Sequence, residues 1–220
     1  MQNDAGKFKR VNGLIWPAYD TACAEVVFAS VDDIERAIGH CRAKRTVIQA
    51  GGNCGVWARY LAKLFRSVWT WEPDPMNYHC LCRNTLGFPN IWANHGALGN
   101  QPGMGIMQAP EPNNCGALQV DRSLIENGQF PIIVLDDIDP EQLGTVDLIY
   151  LDVEGHELFA LQGAGQLIER DRPIIALEDK GLSERYGVAK GDVLRYLEKE
   201  HNYEVIDQYA RDYVLRRKRA

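Results

Sequence analysis

Apolar positions along the chain gather into short runs separated by stretches of helical spacing. The runs at 46–50, 68–71, 90–97, 132–135, 147–151 and 173–177 are bounded by glycine, proline or acidic residues, as expected of buried strands. Between them, 56–65, 75–86, 157–169 and 190–200 repeat apolar residues at the helical period. Strands alternating with helices predict βαβ units, and so a Rossmann-like doubly wound α/β fold with a mostly parallel sheet. Two last runs, 203–206 and 213–216, lie close together and predict an antiparallel hairpin at the sheet edge.

Two segments are less regular. Residues 1–45 read as an N-terminal extension to a domain spanning 46–220. Within it 11–16 is either strand or loop, and 31–44 has helical spacing at Val31, Ile34, Ala37, Ile38 and Cys41, with Asp32 and Asp33 suited to a helix start. Residues 100–130 hold Pro102, Gly103, Gly105, Pro110, Pro112 and Gly116 and few helical signals. Such an insertion either covers an active site or is a surface hairpin without chemistry.

Composition narrows the picture. A chain of 220 residues suits one core. The net charge of -6 does not favour a nucleic-acid partner, and the basic run 216–219 reads as a solvated tail. Six cysteines form no C-x-x-C pair, and Cys80-x-Cys82 lacks a second ligand pair, so no metal site is expected from them. No apolar run approaches the roughly 20 residues that span a bilayer, and no signal peptide is evident. These features together predict a cytoplasmic protein with free thiols. Apolar residues of the extension, if exposed, would offer a homodimer contact.

Chemistry concentrates at strand ends. The run Val47-Ile48-Gln49-Ala50 enters the glycine-rich turn Gly51-Gly52-Asn53-Cys54-Gly55 and then a helix, placing a ligand-accessible backbone at the carboxyl edge of the sheet. Neither G-x-G-x-x-G nor a P-loop fits this turn. About 20 positions on, Glu72 is placed to accept ribose hydroxyls, the alternative being a cap on the helix from Pro75. Asp152-Val153-Glu154-Gly155-His156-Glu157 collects ionisable groups at a third strand end, where like charges raise one another's pKa. Glu157 has a plainer reading as a carboxylate at a helix start. Glu178, Asp179 and Lys180 end a further strand, and their acids could orient a hydroxyl, act as base or hold a cation.

In this order the motifs resemble those of the FkbM-type methyltransferases, a branch of the class I enzymes that use S-adenosylmethionine (SAM). The resemblance rests on Ala50-Gly51-Gly52-Asn53-Cys54-Gly55, Glu72-Pro73-Asp74-Pro75, Asp152 to Glu157 and Leu161-Gln162-Gly163-Ala164. Arg83-Asn84, Asn113-Asn114 and Leu135-Asp136-Asp137-Ile138 add to it. It implies a seven-stranded sheet, Gly51, Asn53 and Gly55 around the methionine part of SAM, Glu72 and Pro73 at the ribose, and Ala97 and Leu98 near the adenine. Asp152 would face both cofactor and reacting centre, with Glu154, His156 and Glu178 as further catalytic candidates. The implied reaction is methyl transfer to a hydroxyl oxygen of a small molecule or carbohydrate.

One position departs from the family. Gln49 stands where relatives commonly carry an acid that holds the cofactor's methionine end, and an amide brings no charge. Three rivals remain: a metal-assisted enzyme with Mg2+ on Asp152, Glu178 and Asp179; a nucleic-acid methyltransferase using Lys44, Asp152 and Lys180; and a catalytically inactive interaction module.

Overall fold

The first described segment is a hairpin of β1 (Phe8–Val11) and β2 (Leu14–Pro17), followed by helices α1 (Cys23–Ala29) and α2 (Val31–Gly39). The computed structural model describes residues 6–121 and 128–219. Next come β3 (Thr46–Ala50), α3 (Val56–Leu61), β4 (Ser67–Glu72), α4 (Pro75–Thr85) and β5 (Ile91–His95). Four short strands then form a separate small sheet: β6 (Ala97–Leu98), β7 (Gly103–Gln108), β8 (Gln119–Asp121) and β9 (Phe130–Ile133). After α5 (Pro140–Leu143) the chain returns through β10 (Val146–Leu151), α6 (Glu157–Gln162), α7 (Gly165–Asp171), β11 (Ile174–Glu178), α8 (Asp192–His201), β12 (Tyr203–Tyr209) and β13 (Asp212–Arg217).

The main sheet has seven strands in the order β12-β13-β11-β10-β3-β4-β5. β11, β10, β3, β4 and β5 run parallel, and β13 is antiparallel to both its neighbours, giving the expected edge hairpin. Alternation along the buried strands divides the core. Val47, Val68 and Leu148 pack with α1, α2 and α3 on one face; Ile48, Ile149 and Ile175 pack with α6, α7 and α8 on the other.

The N-terminal segment joins the first of these layers. Trp16, Ile34, Ala37 and Ile38 are buried in it, so the apolar residues expected as a dimer contact are largely spent on the core. Asn84 fastens it further, accepting from Ile15 N–H and donating to the carbonyls of Ile15 and Cys54, each at 2.8 Å.

Several expected boundaries move. The helix expected over 157–169 is two helices broken at Gly163, where any side chain would strike the Gly99 carbonyl. The strand expected over 90–97 stops at His95, and Ala97–Leu98 pairs instead with β9. Leu135 lies in a 3-10 turn rather than a strand, because Asp136 turns to cap α7 through Gln166 and Leu167 N–H. Within 100–130 the chain forms β7 and β8, an antiparallel flap, while 122–127 lie outside the described residues. The basic run is not a free tail: Arg216 and Arg217 belong to β13 and pair with Glu204 and Glu169, and Lys218 pairs with Glu198.

Candidate functional site

Strand order reverses at β3, so the loops leaving β3 and β10 diverge and open a crevice at the carboxyl ends of the strands. A cavity of about 240 Å³ lies there. Its floor is the turn after β3. Gly51 adopts φ +84°, and a Cβ on it would fall 1.9 Å from the Asp152 carbonyl oxygen. Glycine is therefore what lets the two loops approach, an approach held by Asp152 N–H donating to Ala50 O at 3.1 Å.

Glu72 stands at the cavity wall where β4 ends. Asn53 N–H donates to its Oε2 at 2.7 Å and Asp74 N–H to its Oε1 at 2.9 Å. Each oxygen keeps acceptor capacity for a ligand. Burial pushes the Glu72 pKa up to about 8, so the ionised form gains from added donors or a nearby cation. Glu72 does not cap α4: Asp74 does, through Met76 and Asn77 N–H. Gly51, Asn53, Pro73, Ala97 and Leu98 also line the cavity.

Gln49 and Gly55 do not line it. Gln49 is fully buried beneath the turn, donating to Gly51 O at 2.7 Å and accepting from the Thr70 hydroxyl. An uncharged amide satisfies both partners, which gives a structural reason for glutamine at this position.

Beyond Gly51 the wall turns acidic. Asp152 and Glu154 line the cavity with Lys180, and Glu178 lies behind them. Lys180 Nζ is 2.5 Å from Glu178 Oε2 and 3.5 Å from Glu154 Oε1. Burial raises Asp152 to about 6, with Lys180 lowering and Glu154 raising it. Burial and the Asp152 charge raise Glu178 to about 7, and the two carboxyls are hydrogen-bonded. Three acids facing one lysine thus hold a proton near neutrality, and the cavity wall attracts a cation. Glu154 has φ +54°, a left-handed conformation that costs a side-chain-bearing residue roughly 1–3 kcal/mol.

The other candidates are committed differently. His156 lines the cavity but is buried, its Nδ1 lies 3.0 Å from Leu98 O, and its ring packs on Phe159 and Tyr186. Glu157 accepts Val153 and Gly155 N–H, folding the acidic loop back onto the start of α6. Asp179, beside Glu154, Glu178 and Lys180, accepts Gly181 N–H on Oδ1 and Gly191 N–H on Oδ2. Lys44 precedes β3, at the opposite end of the sheet from Asp152, so no lysine–aspartate–lysine arrangement forms with it.

The flap and the N-terminal segment complete the wall, the flap as one of the two readings of the 100–130 insertion allowed and the N-terminal segment without any sign in the spacing. Cys23, Val26 and Val27 of α1 line the cavity beside Cys115, Gly116 and Leu118. Asp20, buried before α1, accepts N–H groups from both sides.

Comparison with known proteins agrees with this geometry. Residues 49–205 match the model of the methyltransferase FkbM domain. No curated protein matches the chain in sequence. Among solved structures, the FkbM methyltransferase from Methylobacillus flagellatus KT is 22% identical with a TM-score of 0.52, the match covering 80% of this chain and 44% of that one. M. jannaschii TYW2, solved in complex with AdoMet, is 15% identical with a TM-score of 0.50, covering 96% and 86%. The N-methyltransferase NodS from Bradyrhizobium japonicum WM9 is 12% identical with a TM-score of 0.51, covering 89% and 98%. At these identities the structures share the class I methyltransferase fold. Among the described residues no helix is long and apolar enough to cross a membrane.

Proposed function

The chain belongs to the FkbM methyltransferase domain family, and from that premise we propose that it transfers the methyl group of SAM to a hydroxyl oxygen of a small-molecule or carbohydrate acceptor. The observation that carries the cofactor reading is Glu72: a buried carboxylate, fixed to the glycine turn, with acceptor capacity facing the cavity. A ribose diol supplies the donors it lacks, and the apolar Ala97 and Leu98 beside it suit an adenine ring. Asp152 and Glu154 suit the positive sulfonium and α-amino groups on the other side. When bound, SAM supplies an electrophilic methyl group.

The residues at the acidic end position the acceptor and handle its proton. Asp152 is the favoured base, because it lines the cavity and its pKa near 6 leaves it largely ionised at neutral pH. Glu178 and Lys180 hold that carboxyl through a hydrogen bond and a charge. Glu154 orients the acceptor hydroxyl. His156, which also lines the cavity, supports Leu98 through the contact of its Nδ1 with the Leu98 carbonyl. In-line transfer depends on this positioning of oxygen behind the methyl group.

Incubation with methyl-labelled SAM and separate pools of sugars, small phenols and RNA tests the acceptor class. The reading expects label as alkali-stable ethers in the low-molecular-weight pools. Label confined to RNA would overturn it.

A further inference from the structure

Four buried cysteines from distant parts of the chain gather beside the cavity. Cys23 opens α1, Cys54 lies in the turn after β3, Cys80 in α4 and Cys115 in the loop before β8, all as free thiols. Their side chains interact in series: Cys23 with Cys115, Cys115 with Cys54, and Cys54 with Cys80. Of the four, Cys23 and Cys115 line the cavity.

The pair is held from several sides. Asp20 Oδ1 accepts Cys23 N–H at 3.1 Å and Cys115 N–H at 3.2 Å, anchoring both backbones to one atom. A Cβ on Gly116 would lie 2.7 Å from Cys23 Sγ, so the bare glycine lets the sulfur rest against the loop. Asn53 Nδ2 donates to the same sulfur at 3.4 Å.

A metal is the first ligand to weigh. Asp20, Cys23 and Cys115 each place a ligand atom within 4.8 Å of the others. Yet Asp20 Oδ2 already accepts Trp16 Nε1–H and Ala24 N–H, as Oδ1 accepts the two cysteine amides. Four donors occupy the carboxylate's lone pairs, and two sulfurs alone do not make a tetrahedral site. What remains is a preorganised dithiol.

We propose that Cys23 and Cys115 form a reversible redox site, converted by hydrogen peroxide into a disulfide that joins α1 to the flap. The Cys115 sulfur attacks one peroxide oxygen, giving a sulfenic acid and one water. Cys23 then attacks the sulfenic sulfur, the S–S bond forms and a second water leaves. Two thiols lose two hydrogens and two electrons, and the peroxide is reduced to two waters. Cys115 attacks first because S–H donation from Cys23 and Cys54 holds its pKa below the ordinary thiol value. The bond ties together two walls of the cavity. The site rests on the thiol geometry alone and stands whatever the acceptor.

The test treats the full chain with hydrogen peroxide, blocks remaining thiols with N-ethylmaleimide and maps peptides without reduction. The expected result is one cross-linked pair containing Cys23 and Cys115, reversed by dithiothreitol, absent in Cys115→Ser and retained in Cys82→Ser. A cross-link through Cys54 or Cys80, sulfinate at Cys115 without a cross-link, or six alkylated thiols would each overturn it. The wild-type map decides the matter even if Cys115→Ser folds poorly.

Discussion

The Asn53 N–H donates to Glu72 Oε2 at 2.7 Å, joining the glycine turn after β3 to the end of β4. One carboxylate therefore shapes the turn and faces the cavity. With burial holding Glu72 near 8, a ligand that bonds its ionised form must drive off a proton on binding at neutral pH. Affinity for S-adenosylhomocysteine is expected to rise with pH up to about 8 and level off above it. In Glu72→Gln, which keeps an acceptor for Asn53, that pH dependence should flatten. Calorimetry in two buffers of different ionisation enthalpy reads the released proton directly.

Stability should fall as pH rises. Burial lifts Asp152 and Asp212 to about 6, Glu178 to about 7, and Glu72 and Glu157 to about 8. Each folded pKa exceeds its unfolded value, so between the two the native state binds more protons and loses stability with increasing pH. The melting temperature is expected to drop from about pH 5 to pH 8. Glu157→Gln, whose amide oxygen still accepts Val153 and Gly155 N–H, should reduce that slope. A slope identical to that of the wild type would remove Glu157 from the account.

Asp152→Asn should lower kcat by about 10²- to 10⁴-fold, the usual contribution of a general base, and change the Kd for S-adenosylhomocysteine far less. In the wild type, kcat should climb through pH 6 as Asp152 ionises. His156→Asn should act on melting temperature before kcat, because the ring is buried and bonded to Leu98 O. Steady-state kinetics separate these outcomes, and unchanged turnover in Asp152→Asn would contradict the assignment.

Gly51→Ala puts a methyl group against the Asp152 carbonyl at φ +84°. The expected cost is about 2 kcal/mol or more, a fall of roughly 4–8 °C in melting temperature for a domain of this size. Asp20→Ala strands four N–H donors in the core and should cost at least about 3 kcal/mol. Both are measured by thermal or denaturant unfolding.

Much of this architecture is legible in the sequence because buried parallel strands leave continuous apolar runs. Val47–Ile48 and Leu148–Ile149 expose neither face to water, so no polar residue interrupts them. Acidic residues at their carboxyl ends mark the cavity wall, as Glu72 and Asp152 do. The contribution of α1 was not legible, and that of the flap was legible only as one of two readings of an irregular insertion. Cys23 and Cys115 stand far apart in the chain, and what brings them together is Asp20, whose four hydrogen bonds have no periodic signature. Nor was the bracing role of Gln49 legible: its side chain turns into the core and bonds Gly51 and Thr70.

The central claim is a cofactor site at the turn after β3, and calorimetric titration with S-adenosylhomocysteine tests it most directly. The account expects micromolar binding by the wild type, weakened about 10- to 150-fold in Glu72→Ala through loss of charge-assisted hydrogen bonds. No detectable heat with a folded wild-type protein, or equal affinity in Glu72→Ala, would contradict it.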